Sequence, residues 1–175
     1  IIYASCRHMF LVVRAPYLSV NVLASHAPHE RKSKAEREGW WQECQRFLSS
    51  CDSRCVWLID ANARVGSIVT SYVGSFGAQQ QSCNGQSFHD AFCRHHMCAV
   101  NTFADLAVLG SSCRTWTHPR GAMHRLDYIA VPLSFRHYAS KVSALATLTC
   151  STQGTIIFQL SLPFAFQPLM TQAPF

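Results

Sequence analysis

The sequence predicts an α/β (α+β) fold. Apolar runs of strand length alternate with stretches of helical period. One run, residues 55–59 (CVWLI), is apolar throughout, the mark of a strand buried on both faces. It ends abruptly in Asp60-Ala61-Asn62, and polar residues just past a strand end are where α/β proteins place their chemistry.

The elements follow in order. Residues 10–14 (FLVVR) and 18–25 (LSVNVLAS) read as strands separated at Pro16. Residues 26–30 (HAPHE) form a proline-containing loop. Residues 33–50 read as a helix. Trp40, Cys44, Phe47 and Cys51 recur at spacings of four, three and four, Trp41 and Leu48 widen the stripe, and Ser33 with Glu36 forms a capping box. Residues 63–83, with Gly66, Gly74 and Gly77, form a loop of a length found in functional or mobile segments. Asn84-Gly85 is a turn signal, and residues 86–98 read as a second helix with Phe88, Phe92 and His95/His96 on related faces. Residues 99–103, 114–117 and 125–131 read as strands, and 137–148 as a further one. Residues 151–175 contain no Asp, Glu, Lys or Arg, so the chain divides into a domain at 1–150 and an atypical apolar tail at 151–175, with one strand expected at 155–162.

The 175 residues suffice for one domain, which at this size buries roughly 70% of its unfolded surface. A hydrophobic share of 49% excludes a disordered chain. The charged share of 14% fits a chain that is mostly interior or missing some of its natural surroundings. A net charge of +6 fits a polyanion partner such as nucleic acid without demanding one. Nine cysteines, an odd number, fall short of disulfide-scaffold density, and residues 1–13 carry Arg7 and His8 where a signal peptide would be apolar. Free thiols in a reducing, intracellular compartment are therefore expected. No apolar run reaches the roughly 18 residues of a membrane span. The first residue is Ile1, which leads us to expect a fragment or a processed product.

Three segments carry candidate chemistry. Asp60 and Asn62, two apart at a strand end, can orient a water and hold a phosphate oxygen, although Asp and Asn also favour such positions as turn residues. His26, in Ser25-His26-Ala27-Pro28-His29, can bond a phosphate oxygen or protonate a leaving group; a surface His in a proline loop is the plainer alternative. In the third, Thr115-Trp116 precedes His124-Arg125-Leu126-Asp127-Tyr128-Ile129. Here Trp116 can stack on a base or sugar, Arg125 can pair with a phosphate, and Asp127, inside an apolar strand, needs a partner such as a His, an Arg or a metal, a structural ion pair with Arg125 or a nearby His being the plainer alternative.

Taken together these segments resemble the endonuclease/exonuclease/phosphatase superfamily, closest to its LINE-type retrotransposon branch. The resemblance runs in family order from about residue 18 to 132: the strand ending in His26-Ala27-Pro28, a Trp-rich helix, Leu58-Ile59-Asp60-Ala61-Asn62-Ala63-Arg64-Val65-Gly66, Asn84-Gly85, Asn101-Thr102-Phe103, Thr115-Trp116, and Arg125-Leu126-Asp127-Tyr128-Ile129. It implies a partial four-layer α/β sandwich of the deoxyribonuclease-like type, with mixed sheets flanked by helices. It also implies hydrolysis of phosphodiester bonds with Mg²⁺ or Mn²⁺. By motif match, Asp60 is the carboxylate that activates water, Asn62 positions water and phosphate, and His26 contacts the scissile phosphate. Asp127 is the carboxylate that orients a catalytic His, and Trp116, Arg64 and Arg125 contact nucleic acid. The expected partner is nucleic acid, DNA ahead of RNA, with no membrane and no obligate protein partner, and the compartment is nuclear if the chain derives from a retroelement.

The chain departs from the family at both ends. Residues 1–10 hold no Asp, Glu or Asn where the family carries its metal-binding Glu, and no Asp follows Pro132, where the family has Ser-Asp-His. The metal ligands are thus unknown, with Asp60 and Asn62 the nearest candidates. The resemblance therefore implies a truncated hydrolase, weakly active or inactive, with a non-catalytic nucleic-acid-binding remnant as the alternative. A zinc module built on Cys51, Cys55, Cys93, His95, His96 and Cys98 is a third reading, though the spacing fits no common finger.

Overall fold

A computed structural model describes residues 1–16, 18–51, 54–108 and 112–139. Tyr3–Ala4 (β1), His8–Ala15 (β2), Leu18–His26 (β3), Cys55–Asp60 (β4), Met97–Ala99 (β5) and Asp127–Pro132 (β8) form one mixed sheet in the order β1-β2-β3-β4-β8-β5. Only β3 and β4 run parallel; the other pairs are antiparallel. Trp116–Thr117 (β6) and Met123–His124 (β7) form a separate two-stranded ribbon.

The parallel pair needs a crossover, and helix Lys34–Ser50 (α1) supplies it. Ser33 caps α1 by accepting from Glu36 N. Its predicted stripe buries Trp40, Trp41, Cys44 and Leu48 against the sheet. Helix Cys83–His95 (α2) starts three residues earlier than the sequence predicts, because Ser82 caps it through Gly85 N. It ends where His96 turns left-handed (φ 48°). That residue lets Met97 begin β5, so the strand predicted at 99–103 lies at 97–99 and gives way to a 3₁₀ turn at Val100–Thr102.

Both helices cover one face of the sheet. Cys55, Trp57 and Ile59 of β4 point into that core with Leu23, Phe88, Phe92, Tyr128 and Ala130. Trp57 meets Trp41 and Phe88 edge to face, the arrangement aromatic quadrupoles prefer. The opposite face is partly covered by a smaller cluster around Val100, Ile129 and Val131, while Met9, Val13 and Leu58 stay more than a third exposed. Residues 133–138 form a 3₁₀ helix, which takes up the start of the strand predicted at 137–148. The remainder of that predicted strand, and the tail at 151–175, lie outside the described residues.

The long loop after β4 is packed rather than loose. Val65 and Val73 are buried, Phe76 N donates to Thr102 O, and Ala99 N donates to Tyr72 O. Gly74 is required there: a Cβ would sit 2.3 Å from Thr102 O.

Candidate active site at the ends of three strands

The sheet register places three candidate residues in a row. His26 stands beside Asp60 in the parallel β3–β4 pair, and Asp60 stands opposite Asp127 in the antiparallel β4–β8 pair. Side chains alternate along a strand. Since Ser25, Ile59 and Tyr128 point toward the helices, the three polar side chains share the other face. His26 Nε2 lies 3.6 Å from Asp60 Oδ2, with His26 largely exposed and Asp60 about one quarter exposed.

Asn62 is bound to this row from behind. Its backbone N–H donates to Asp60 Oδ1 (3.0 Å), an Asx turn, and its left-handed backbone (φ 42°) is one that Asn tolerates. Its amide Nδ2 donates to Ala27 O (2.9 Å), the residue after His26. The turn role and the site geometry therefore coexist in the same residues.

Asp127 is the electrostatic outlier. Burial pushes its carboxyl up to about 7, with nearby Asp60 adding to the rise and the Thr115 hydroxyl opposing it. Thr115 Oγ1 also accepts from the N–H groups of Leu126 and Asp127. Near neutral pH Asp127 keeps a large share of its proton.

Beside the row lies a basic aromatic face. Trp116 and His124 pair across the β6–β7 ribbon with rings nearly parallel (17°, 6.0 Å), and His118 meets Trp116 edge-on. Arg64 and Arg114 are close enough to lower the His124 pKa, after burial, which is the larger cause.

Experimental structures of nucleases share this geometry of strands and helices. The endonuclease domain of TRAS1, a telomere-specific non-LTR retrotransposon, superposes with a TM-score of 0.65 at 12% identity, over 90% of this chain and 64% of that one. The 3′ phosphatase NExo from Neisseria, bound to a product DNA hairpin, gives 0.58 at 16% identity, over 86% and 64%. The fold is that of the deoxyribonuclease-like endonucleases, exonucleases and phosphatases. A further NExo structure, a 3′–5′ exonuclease from Neisseria meningitidis, gives 0.56 at 16% identity, over 85% and 62%. The chain thus spans a little under two thirds of each of these structures. No family model and no curated protein matches the sequence.

Within this nuclease-like fold Arg125 lies differently from the exposed position that a nucleic-acid contact would use. Arg125, predicted to pair with a phosphate, is 2% exposed. Its Nε donates to Cys113 O and its Nη2 to Phe76 O, both at 2.9 Å, and the guanidinium lies over the Phe76 ring. It joins the long loop to the segment entering β6, so it shapes the basic face without presenting its charge there. Nor does it pair with Asp127. Arg64 is half-buried, its backbone tied to Ser82 on both sides.

Three residues that the sequence places in the family pattern without a site role hold the site. Asn84, fully buried at the start of α2, donates through Nδ2 to Pro28 O and Asn62 O, tying the His26 loop to the Asp60 loop. Gly85 beside it admits Arg64 O at a place where a Cβ would be 2.1 Å away. Asn101 donates to Asp127 O. Their trace in the sequence is Asn84-Gly85, which reads equally well as a turn, and Asn101-Thr102-Phe103.

Asp60, Asn62 and Asp127 offer the hard oxygen ligands that Mg²⁺ takes, and one or two carboxylates completed by waters and substrate phosphates are its usual set. Among the described residues no three His, Cys, Asp or Glu side chains converge to hold a metal ion, and this includes the cysteines of the zinc reading. A cavity of about 570 Å³ lies elsewhere, on the helix side, lined by Gln42, Gln45, Arg46, Ser49, Ser50 and Arg94.

Proposed function

We propose that this chain is a nuclease-type domain that binds nucleic acid, DNA ahead of RNA, across the His26–Asp60–Asp127 row, with phosphodiester hydrolysis weak or absent. One observation carries the reading: the strand register brings His26, Asp60 and Asp127 side by side, with Asn62 bonded to Asp60 and to the His26 loop. The nuclease-like fold and the Arg64–Arg114–Trp116 face beside the row support it.

In this reading each residue has a task. Asp60 accepts a proton from, or orients, the attacking water. Asn62 holds a phosphate oxygen through its remaining amide capacity. His26, largely exposed at 3.6 Å from Asp60, meets the scissile phosphate. Asp127, with its carboxyl near 7, supplies or shares a proton with Asp60. Hydrolysis of a phosphodiester builds negative charge on the phosphoryl oxygens, and the residues present offer few donors to meet it. Any activity would draw on added Mg²⁺ or Mn²⁺, as the family resemblance implies. That shortage is why slow turnover, or binding alone, is expected.

The test is nicking of supercoiled plasmid with Mg²⁺ and with Mn²⁺, beside salt-dependent binding of an oligonucleotide. Slow nicking that is lost in Asp60→Ala, or salt-sensitive binding without nicking, fits the reading. Vigorous cleavage that survives Asp60→Ala, or no binding even at low salt, overturns it.

A further inference from the structure

We infer that His124 is a fixed hydrogen-bond donor to an oxygen of the bound nucleic acid, its proton placed on Nε2 by Gln79, with the Trp116 ring beside it taking the neighbouring base or sugar. The inference rests on the nucleic-acid reading above and adds a residue pair to it.

Hydrogen-bond polarity fixes the tautomer. The backbone N–H of Arg125 can only donate, and it meets Gln79 Oε1 at 3.0 Å. The other end of the Gln79 amide is therefore its NH₂ group. That group lies 3.4 Å from Met123 O and 3.0 Å from His124 Nδ1. Since the NH₂ can only donate, Nδ1 must accept, and the imidazole proton resides on Nε2. Among the described residues no protein hydrogen bond occupies Nε2.

The surroundings reinforce this state. A proton added at Nδ1 would set two N–H groups against each other, and turning Gln79 over to relieve that would cost the Arg125 bond. Partial burial and, after it, the nearby charges of Arg64, Arg114 and His118 oppose a further positive charge on the ring. A neutral donor near Arg64 and Arg114 leaves the charge attraction to the arginines and adds direction at one oxygen. Trp116 is half-buried, next to Thr115, whose hydroxyl serves Asp127, so the donor adjoins the proposed reaction row. Its ring, stacked beside His124, gives a base or sugar a flat apolar surface.

Two measurements on the whole chain test this. The first is imidazole ¹⁵N spectroscopy. His124 is expected as the Nε2–H tautomer, with Gln79→Glu converting it to the imidazolium at neutral pH, since a carboxylate there accepts from Nδ1–H. An Nδ1–H tautomer in the native protein overturns the inference. The second is anisotropy of a fluorescein-labelled ten-nucleotide DNA strand. His124→Leu should weaken binding about tenfold, while His124→Gln, which keeps an N–H near the Nε2 position, should recover most of it. Native protein that binds while His124→Leu binds equally well refutes the inference and leaves the nuclease reading standing. No binding by the native protein refutes both.

Discussion

Asp60 and Asp127 face each other across the β4–β8 ladder, and they do so without a cation between them among the protein groups described. Like charges placed opposite one another on a sheet are destabilising. The sheet resolves this by burying Asp127 and raising its carboxyl to about 7, with the Thr115 hydroxyl opposing the shift.

A pH dependence of stability follows from that arrangement. The folded carboxyl holds its proton up to about 7, whereas the unfolded one releases it near 3.8. Between these values the folded state binds more protons, so stability falls as pH rises, by a few kcal/mol at most. Asp127→Asn should remove this slope and raise the urea midpoint at pH 8. An unchanged pH profile in the variant would show that the carboxyl is not held protonated by the fold.

His8 acts in the opposite direction. It is buried between strand and helix, its Nδ1 3.2 Å from Ser25 Oγ and its ring stacked on Trp40. Burial lowers its pKa, only partly offset by Glu43, 3.6 Å from Nε2. The unfolded chain takes up this proton near 6.5 and the folded chain only at lower pH. This contribution is therefore complete above about 6.5 and is lost as the pH falls. Thermal melts of His8→Gln, compared with the native protein at pH 7.5 and 5, should show a smaller acid-induced loss. Because Asp127 stabilises over part of the same range, the double variant with Asp127→Asn separates the two.

Asn84 should behave as a structural tie with a functional readout. Asn84→Ala leaves Pro28 O and Asn62 O without their donor and should cost about 2–3 kcal/mol. It should also weaken oligonucleotide binding by loosening Asn62 from the His26 loop. Loss of stability with binding fully retained at low temperature would mean that the two loops do not need this tie.

The arginines divide by burial. Arg64→Ala should reduce the salt slope of binding by about one with little change in stability. Arg125→Lys should leave the slope unchanged, because its charge is buried, and should lower stability by about 2–4 kcal/mol through the lost carbonyl bonds. Titrations at 50 and 200 mM salt, with denaturation curves, distinguish the two.

Much of the scaffold is legible in the sequence for physical reasons. The Trp40–Cys44–Phe47–Leu48 stripe follows from burial of one helix face, whereas the apolar run before Asp60 reads as a strand buried on both faces and is buried on one: Cys55, Trp57 and Ile59 face the core, Val56 is half-buried and Leu58 is exposed. Asp60, Asn62, His26 and Asp127 stand out because polar residues end or interrupt apolar runs. Their side-by-side register does not, since pairing is set by contacts between residues far apart in sequence. Arg125 misleads because a charged residue beside a strand is usually exposed; here backbone carbonyls from two loops satisfy it. Gln79 and Asn101 act through side-chain hydrogen bonds that leave no periodic trace.

Whether nucleic acid lies across the strand ends is decided by titrating ¹⁵N-labelled protein with a ten-nucleotide DNA strand and following backbone amides. The amides of His26, Ala27, Asp60, Asn62, Arg64, Trp116, His124 and Asp127 should move, while those of Gln42, Gln45 and Arg94 around the helix-side cavity should not. Shifts confined to that cavity, with the strand ends silent, would place the binding surface elsewhere and refute the proposed function.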